Sequence, residues 1–245
     1  DLVSALDRIV DRHDALRTVI DPDGEEGAQQ RVLPRSARPA AGWVALPETD
    51  LSPLPSTQRE QEVRRLLSAE AREPFDLARF PLFRARLLRL AEREHVLFWM
   101  PHHIVWDGWS FDVFLRELDL ILNGRDTDVP ALPIQYGDFC AWNQQRQAGG
   151  PDSESFERDR RYWLNRMAGE LPDLDVPADF ARPAQFSFRG AAEAFEMDAD
   201  RVARLTEYAR ARGATLYMLM LSAYVLLLCR RSGRDDLLVG TPIQG

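Results

Sequence analysis

HVLFWMPHHIVWDGWS, residues 95–110, joins a nearly continuous apolar run to two adjacent histidines and then to Asp-Gly. The run reads as a central strand. Pro101 ends it, because proline has no N–H to give to a neighbouring strand. From Ser110 a helix is expected, with Phe111, Phe114, Leu115, Leu118, Ile121 and Leu122 on one face and a stop at Asn123-Gly124. The histidines and Asp107 therefore fall in a strand-to-helix loop that regular structure fixes from both sides. Adjacent side chains of an extended chain point to opposite faces, so His102 and His103 are expected to take different roles.

Upstream, PFDLARFPLFRARLLRL (residues 74–90) alternates Phe83, Ala85 and Leu87 with Arg84, Arg86 and Leu88, the period of a half-buried strand. A charged helix from Thr57 to about Glu73, N-capped near Ser56, precedes it. Leu2, Leu6, Ile9, Val10 and Leu16 form an N-terminal helical stripe, followed by a strand-like RTVI and short extended stretches at QQRVL and GWVAL. Downstream come two helices, YGDFCAWNQQRQ and SFERDRRYWLNRMAG, and then a proline-rich stretch at 172–186. Beyond it the pattern predicts a strand in FSFRGAAEAFEM, a helix from Asp200 to Arg212 closed by Gly213, a helix from Leu216 to about Arg231 capped by Thr215, and a strand LLVG. The class is α/β. We divide the chain into a nearly complete first lobe at 1–171, a linker at 172–186 and the start of a second lobe at 187–245.

Composition removes several functions. The chain carries 31 basic and 39 acidic residues, a net charge of -8, which argues against nucleic acid as a partner. All the basic residues are arginine, so a Walker A lysine and a Schiff-base lysine are both impossible. Cys140 and Cys229 match no paired pattern, and neither a disulfide framework nor a zinc site is expected. The apolar run from Leu216 to Cys229 is too short to span a membrane, and the acidic N-terminal helix does not resemble a signal peptide. A reducing cytoplasm is the expected setting. DGWSF lacks the second glycine of a nucleophile elbow, and no GxGxxG occurs. With His13 and His95 the only other histidines, no ligand cluster is read and no metal is expected.

Taken alone, the histidine pair reads as two hydrogen-bonded side chains at a strand end, and Asp107 as an acid at a helix N-terminus. Its company changes that reading. His102, His103, Asp107 and Gly108 match an HHxxxDG signature that continues as DGWS to Ser110. RHDALRT (12–18) resembles RHExLRT, YGDFCAW (136–142) resembles YxDYAxW, and GTPIQG at the end of the chain resembles GTPxxGR. In these motifs and their order, with the PFDL segment between them, the chain resembles a condensation domain of a nonribosomal peptide synthetase, in the chloramphenicol acetyltransferase-like superfamily. The resemblance implies two acetyltransferase-like lobes with a tunnel between them. It also implies that the family's opening motif lies before Asp1 and most of the second lobe after Gly245.

The implied reaction joins a donor acyl or peptidyl thioester to the amine of an acceptor aminoacyl thioester, in antibiotic or other secondary-metabolite assembly. Both substrates are tethered to the 4'-phosphopantetheine of carrier proteins, with an adenylation domain in the same polypeptide and no cofactor bound directly. An α-amine of pKa about 8 is largely protonated at neutral pH, and a histidine near about 6.5 suits the removal of its proton. The resemblance assigns that role, or positioning of the amine, to His103. His102 becomes structural, Asp107 holds the loop through an arginine of the second lobe, and Gly108 lets the backbone approach the thioester. Trp106, Trp109 and Ser110 are candidate lining residues, although core packing is the plainer reading of the tryptophans. Arg12, His13 and Arg17 are expected to be structural. A paired-aspartate heterocyclisation motif and the DGxSW of epimerisation are absent. A freestanding acyltransferase with a soluble acceptor and a non-catalytic platform for carrier or tailoring proteins remain as alternatives.

Overall fold

The first helix, α1 (Leu2–Arg12), is capped by Asp1, which accepts from the Val3 N–H at 2.9 Å, and it buries Ala5, Leu6, Ile9 and Val10. A short turn leads into β1 (Thr18–Asp21), paired antiparallel with β2 (Gln29–Val32). β3 (Glu48–Asp50) and α2 (Ser56–Arg72) follow, then β4 (Phe83–Ala91), β5 (Glu94–Pro101) and α3 (Gly108–Leu122). α4 (Tyr136–Gln147) and α5 (Ser153–Arg166) precede α6 (Ala199–Arg210) and α7 (Leu216–Ser232). The computed structural model describes residues 1–24, 27–147, 153–172, 176–181, 183–185 and 190–241. None of its helices is long and apolar enough to cross a membrane among those residues.

The larger sheet has the order β3-β4-β5, with β3 parallel and β5 antiparallel to β4. Among the described residues β5 is thus an edge strand and β4 the central one, the reverse of the expectation from the apolar run. β5 is apolar because its Leu97 and Trp99 belong to the core, whereas β4 takes hydrogen bonds on both sides. On one face of the sheet α1 and α3 pack over Phe83, Ala85, Leu97 and Trp99, and a stack of rings runs from Phe83 through Trp99 to Phe114 with centroids 4.6 and 4.9 Å apart. The other face is covered as well. Arg86 binds Glu70 of α2 at 2.5 Å, and Leu88 on that face is fully buried. The alternation in β4 therefore distinguishes two covered faces rather than core from solvent.

Three local expectations change. GWVAL forms no strand: buried Asp7 of α1 accepts the N–H groups of Trp43 at 2.8 Å and Val44 at 2.9 Å, which takes both away from a neighbouring strand. Gly42 makes that approach possible: its φ is 95°, and a Cβ there would stand 2.2 Å from Asp7 Oδ2. α2 begins at Ser56 itself, with Pro55 as its N-cap residue. α3 begins at Gly108, two residues before the predicted start, because Asp107 caps it.

The chain divides into two compact units, Asp1–Phe156 and Glu157–Gly245, which places most of α5 in the second unit, ahead of the proline-rich stretch. In that second unit Asp198 caps α6 through the Arg201 N–H at 2.7 Å, and Thr215 caps α7 through Met218 at 3.1 Å. The expected strands do not form among the described residues. Residues 186–189 of FSFRGAAEAFEM lie outside them, while 190–198 and LLVG at 237–240 are irregular. A strand needs a partner for its N–H and C=O groups, and no described segment pairs with either one. In GTPIQG, Pro242 to Gly245 likewise lie outside the described residues.

Candidate active site

The motif starts where β5 runs out. Pro101 still pairs with Phe83, and the His102 N–H makes one further bond to Leu82 O at 2.8 Å. The chain then turns. Val105 donates to His102 O at 3.1 Å, closing a single 3-10 turn over His103–Val105, and Ile104 donates to His102 Nδ1 at 3.0 Å. That second bond requires a lone pair on Nδ1 and places the ring proton of neutral His102 on Nε2. The His102 ring is half-buried and meets Phe75 at 85°, with centroids 5.6 Å apart. His103, first in the turn, is exposed.

Trp106 and Asp107 are extended, and the chain enters α3 through a reciprocal cap. Asp107 Oδ1 accepts the Ser110 amide at 2.8 Å and the Ser110 hydroxyl at 2.6 Å, while the Asp107 N–H donates to Ser110 Oγ at 3.2 Å. These Ser110 bonds, helped by the nearby His103, hold the Asp107 carboxyl below its ordinary value against a smaller opposing effect of burial. Asp107 Oδ2 makes no hydrogen bond or ion pair among the described residues. Gly108 occupies the first position of α3, a Cβ there would meet nothing within 4 Å, and no neighbour forces the glycine. Its N–H and that of Trp109 precede the first intrahelical bond and sit at the positive end of the helix.

A cleft of about 340 Å³ opens beside this cap. Trp106, Asp107, Trp109 and Ser110 line it together with His13 and Leu132, while His103 and Gly108 lie outside the lining. Trp106 is packed among Trp99, Phe111 and Phe114, and its buried Nε1 has no partner among the described residues. Trp109 is 60% exposed. The two tryptophans thus differ, one built into the core and one standing at the mouth.

Glu117, 1% exposed on α3, was not singled out from the sequence. Its carboxylate binds His13 Nε2 at 2.7 Å and Arg12 Nε at 3.1 Å, which fastens the end of α1 to the middle of α3. Burial raises the Glu117 carboxyl, and the His13 bond together with the charges of His13 and Arg12 lowers it further than burial raises it. Arg17 is buried and binds Val10 O, Leu33 O and Asp14. The RHDALRT segment is therefore a cluster of bonds within the fold. Along α4 Tyr136 stacks on Phe139 and Phe139 meets Trp142 at a tilt of 38°, and both Tyr136 and Trp142 are about half exposed.

A family model for the condensation domain matches residues 1–245. The chain belongs to the condensation-domain family. This condensation domain is 36% identical over 241 residues to one of the plipastatin synthase chains of Bacillus subtilis (strain 168), covering 98% of the domain and 9% of that protein. It is 40% identical over 244 residues to chondramide synthase of Chondromyces crocatus, covering 98% and 6%. Among solved structures, the X-domain from teicoplanin biosynthesis has a TM-score of 0.74 at 31% identity, covering 94% of this chain and 49% of that one. The condensation domain therefore spans less than a tenth of either synthase chain and about half of the X-domain chain. Its mixed α/β architecture is that of the condensation fold.

Proposed function

We propose that this condensation domain forms an amide bond between a donor acyl or peptidyl thioester and the amine of an acceptor aminoacyl thioester. The observation that carries the reading is the turn at 103–105, which presents an exposed His103 between the end of a paired strand and the capped N-terminus of α3. The acceptor nitrogen attacks the thioester carbonyl, a C–N bond forms and the C–S bond breaks. His103 takes the proton that nitrogen must lose, and the departing thiolate takes a proton in turn. The oxygen of the tetrahedral intermediate gains negative charge, which the free N–H groups at Gly108 and Trp109 suit. His102 acts structurally, by closing the turn. Asp107 holds the entry to α3, with Oδ2 left for an arginine of the second lobe.

The thioesters come on the phosphopantetheine arms of two carrier proteins, with an adenylation domain in the same polypeptide. The kinship with peptide synthases and the HHxxxDG motif support this reading. We place the lobe boundary in the proline-rich 172–186. The test uses the intact protein containing this domain, with carriers loaded with donor and acceptor, and mass spectrometry of the acceptor carrier. Amide product in the wild type and a loss of at least ~100-fold in His103→Ala is the expected result. Product unaffected by the substitution overturns the role of His103. A second reading, a platform that recruits a tailoring protein, has one observation in its favour: an X-domain 30% identical to this chain, at a TM-score of 0.74, has been solved in complex with OxyB. Carrier binding without product across a broad panel of donors and acceptors selects it.

A further inference from the structure

The PFDL…FRARL segment has no part in the chemistry above, yet it touches His102 of the motif twice, through Leu82 O at its N–H and through Phe75 at its ring. α2 ends at Arg72, where the carbonyls of its last turn and of the residues just after it need donors. Arg84 of β4 reaches three of these: its Nη1 donates to Glu70 O at 2.9 Å, which also accepts the Glu73 N–H at 3.4 Å, and to Glu73 O at 2.6 Å, and its Nη2 donates to Pro74 O at 2.8 Å. The guanidinium also complements the negative end of the helix. Its carbon lies 4.0 Å from the centroid of the Phe75 ring, in cation–π contact. Phe75 in turn meets the His102 ring at 85° and 5.6 Å, and His102 Nδ1 accepts the Ile104 N–H inside the turn that begins with His103.

An imidazole can swing about its bonds to Cβ, and a change in the position or plane of the ring would carry Nδ1 away from the Ile104 amide. A half-turn flip leaves the outline of the ring nearly unchanged, so the Ile104 bond itself selects the edge that faces the amide. The backbone at His102 is fixed by the Leu82 bond, so what remains for packing is the position of the ring, and Phe75 is the ring that meets it. Phe75 is held in place by Arg84, which is itself fixed by three carbonyls. We infer that Phe75 and Arg84 are positioning residues that act through His102 to set the turn presenting His103. The inference rests on the amide-forming reading for its kinetic consequence and on geometry alone for its structural one. Neither residue touches a reacting atom. Their effect reaches the chemistry because displacing a catalytic group by about 1 Å costs rate far more than it costs binding.

The experiment compares wild type with Phe75→Leu, Phe75→Tyr and Arg84→Gln in the intact protein, reading two quantities. Hydrogen–deuterium exchange with mass spectrometry follows the peptide spanning 102–107, and the loaded-carrier assay gives kcat and KM. Phe75→Leu and Arg84→Gln should raise exchange in that peptide several-fold with the β4 and β5 peptides unchanged. They should lower kcat roughly tenfold or more and leave the KM for both carriers in place. Phe75→Tyr keeps the ring and should restore both. Unchanged exchange at 102–107 overturns the inference whether or not the protein is active. So does normal kcat in an active protein whose turn has loosened, and so does exchange that rises equally everywhere, which marks general destabilisation. If wild type makes no amide, the proposed function fails by itself and the exchange measurement still decides the positioning.

Discussion

Asp107 commits one carboxylate oxygen to Ser110 and keeps the other free of bonds among the described residues, so capping and charge can be separated by substitution. Asparagine caps a helix about as well as aspartate, and alanine does not. Asp107→Asn should therefore melt within a degree or two of wild type, while Asp107→Ala should lose about 1 kcal/mol. Turnover should fall ~10-fold or more in both if the carboxylate charge holds the loop to an arginine. Turnover and stability both intact in the asparagine variant would end that idea. The depressed carboxyl fixes the sign with pH. The cap's contribution is present above the unfolded value of about 3.9 and disappears as pH falls through the lower folded value. At this scale the sequence was informative about chemistry and less so about geometry. The motif located His102, His103 and Asp107 in a strand-to-helix loop, but Asp-x-x-Ser also encodes a reciprocal cap, which starts α3 two residues early. His102 takes its place from a ring 27 positions upstream in sequence, Phe75, which no local pattern reveals.

The helices show why one acid escaped notice. Glu117 lies between Phe114 and Leu118 on α3, and periodicity assigns an acid there to the solvent side of the stripe. The structure buries it because Arg12 and His13, over a hundred residues earlier, bring opposite charge to it at the end of α1. The expected stripe divides accordingly: Phe114 and Leu118 enter the core, whereas Phe111, Leu115 and Leu122 stay 41%, 58% and 49% exposed. Replacing Glu117 by Gln removes the charge on which both partners depend, and should cost about 2 kcal/mol in unfolding free energy. The folded Glu117 carboxyl is depressed, so its stabilisation is complete above the unfolded value of about 4.3 and is lost as pH falls through the folded one. Chemical denaturation between pH 6 and pH 3 checks both effects. The wild-type loss on acidification should be visibly smaller in Glu117→Gln, and equal losses would show that Glu117 does not carry the acid sensitivity. The arginines of RHDALRT were legible as structural, because a short motif at a helix end usually fixes the fold, but the carboxylate they serve was not.

For the whole chain, legibility differs between the two units. In Asp1–Phe156 most helices and strands fall close to their predicted places, GWVAL excepted, and α1, β4, β5 and α3 share one hydrophobic core. Among the described residues of Glu157–Gly245 the helices appear where predicted and the strands do not, because a helix satisfies its own backbone and a strand depends on a neighbour. α7 carries the same lesson in its side chains. It is apolar nearly all round, yet Leu228 is its one buried residue, while Tyr217, Met218, Tyr224, Leu226 and Leu227 are each 50–55% exposed. A helix of that pattern belongs inside a protein, and monomers in solution rarely expose so much contiguous apolar surface. Residues 1–245 produced alone should therefore self-associate. Size-exclusion chromatography with light scattering should show oligomers or loss of material at micromolar concentration, and Leu226→Glu with Leu227→Glu should increase the monomer fraction without altering the Asp1–Phe156 unit. A monomeric wild-type chain with one cooperative melting transition would mean that α7 finds its cover within these 245 residues.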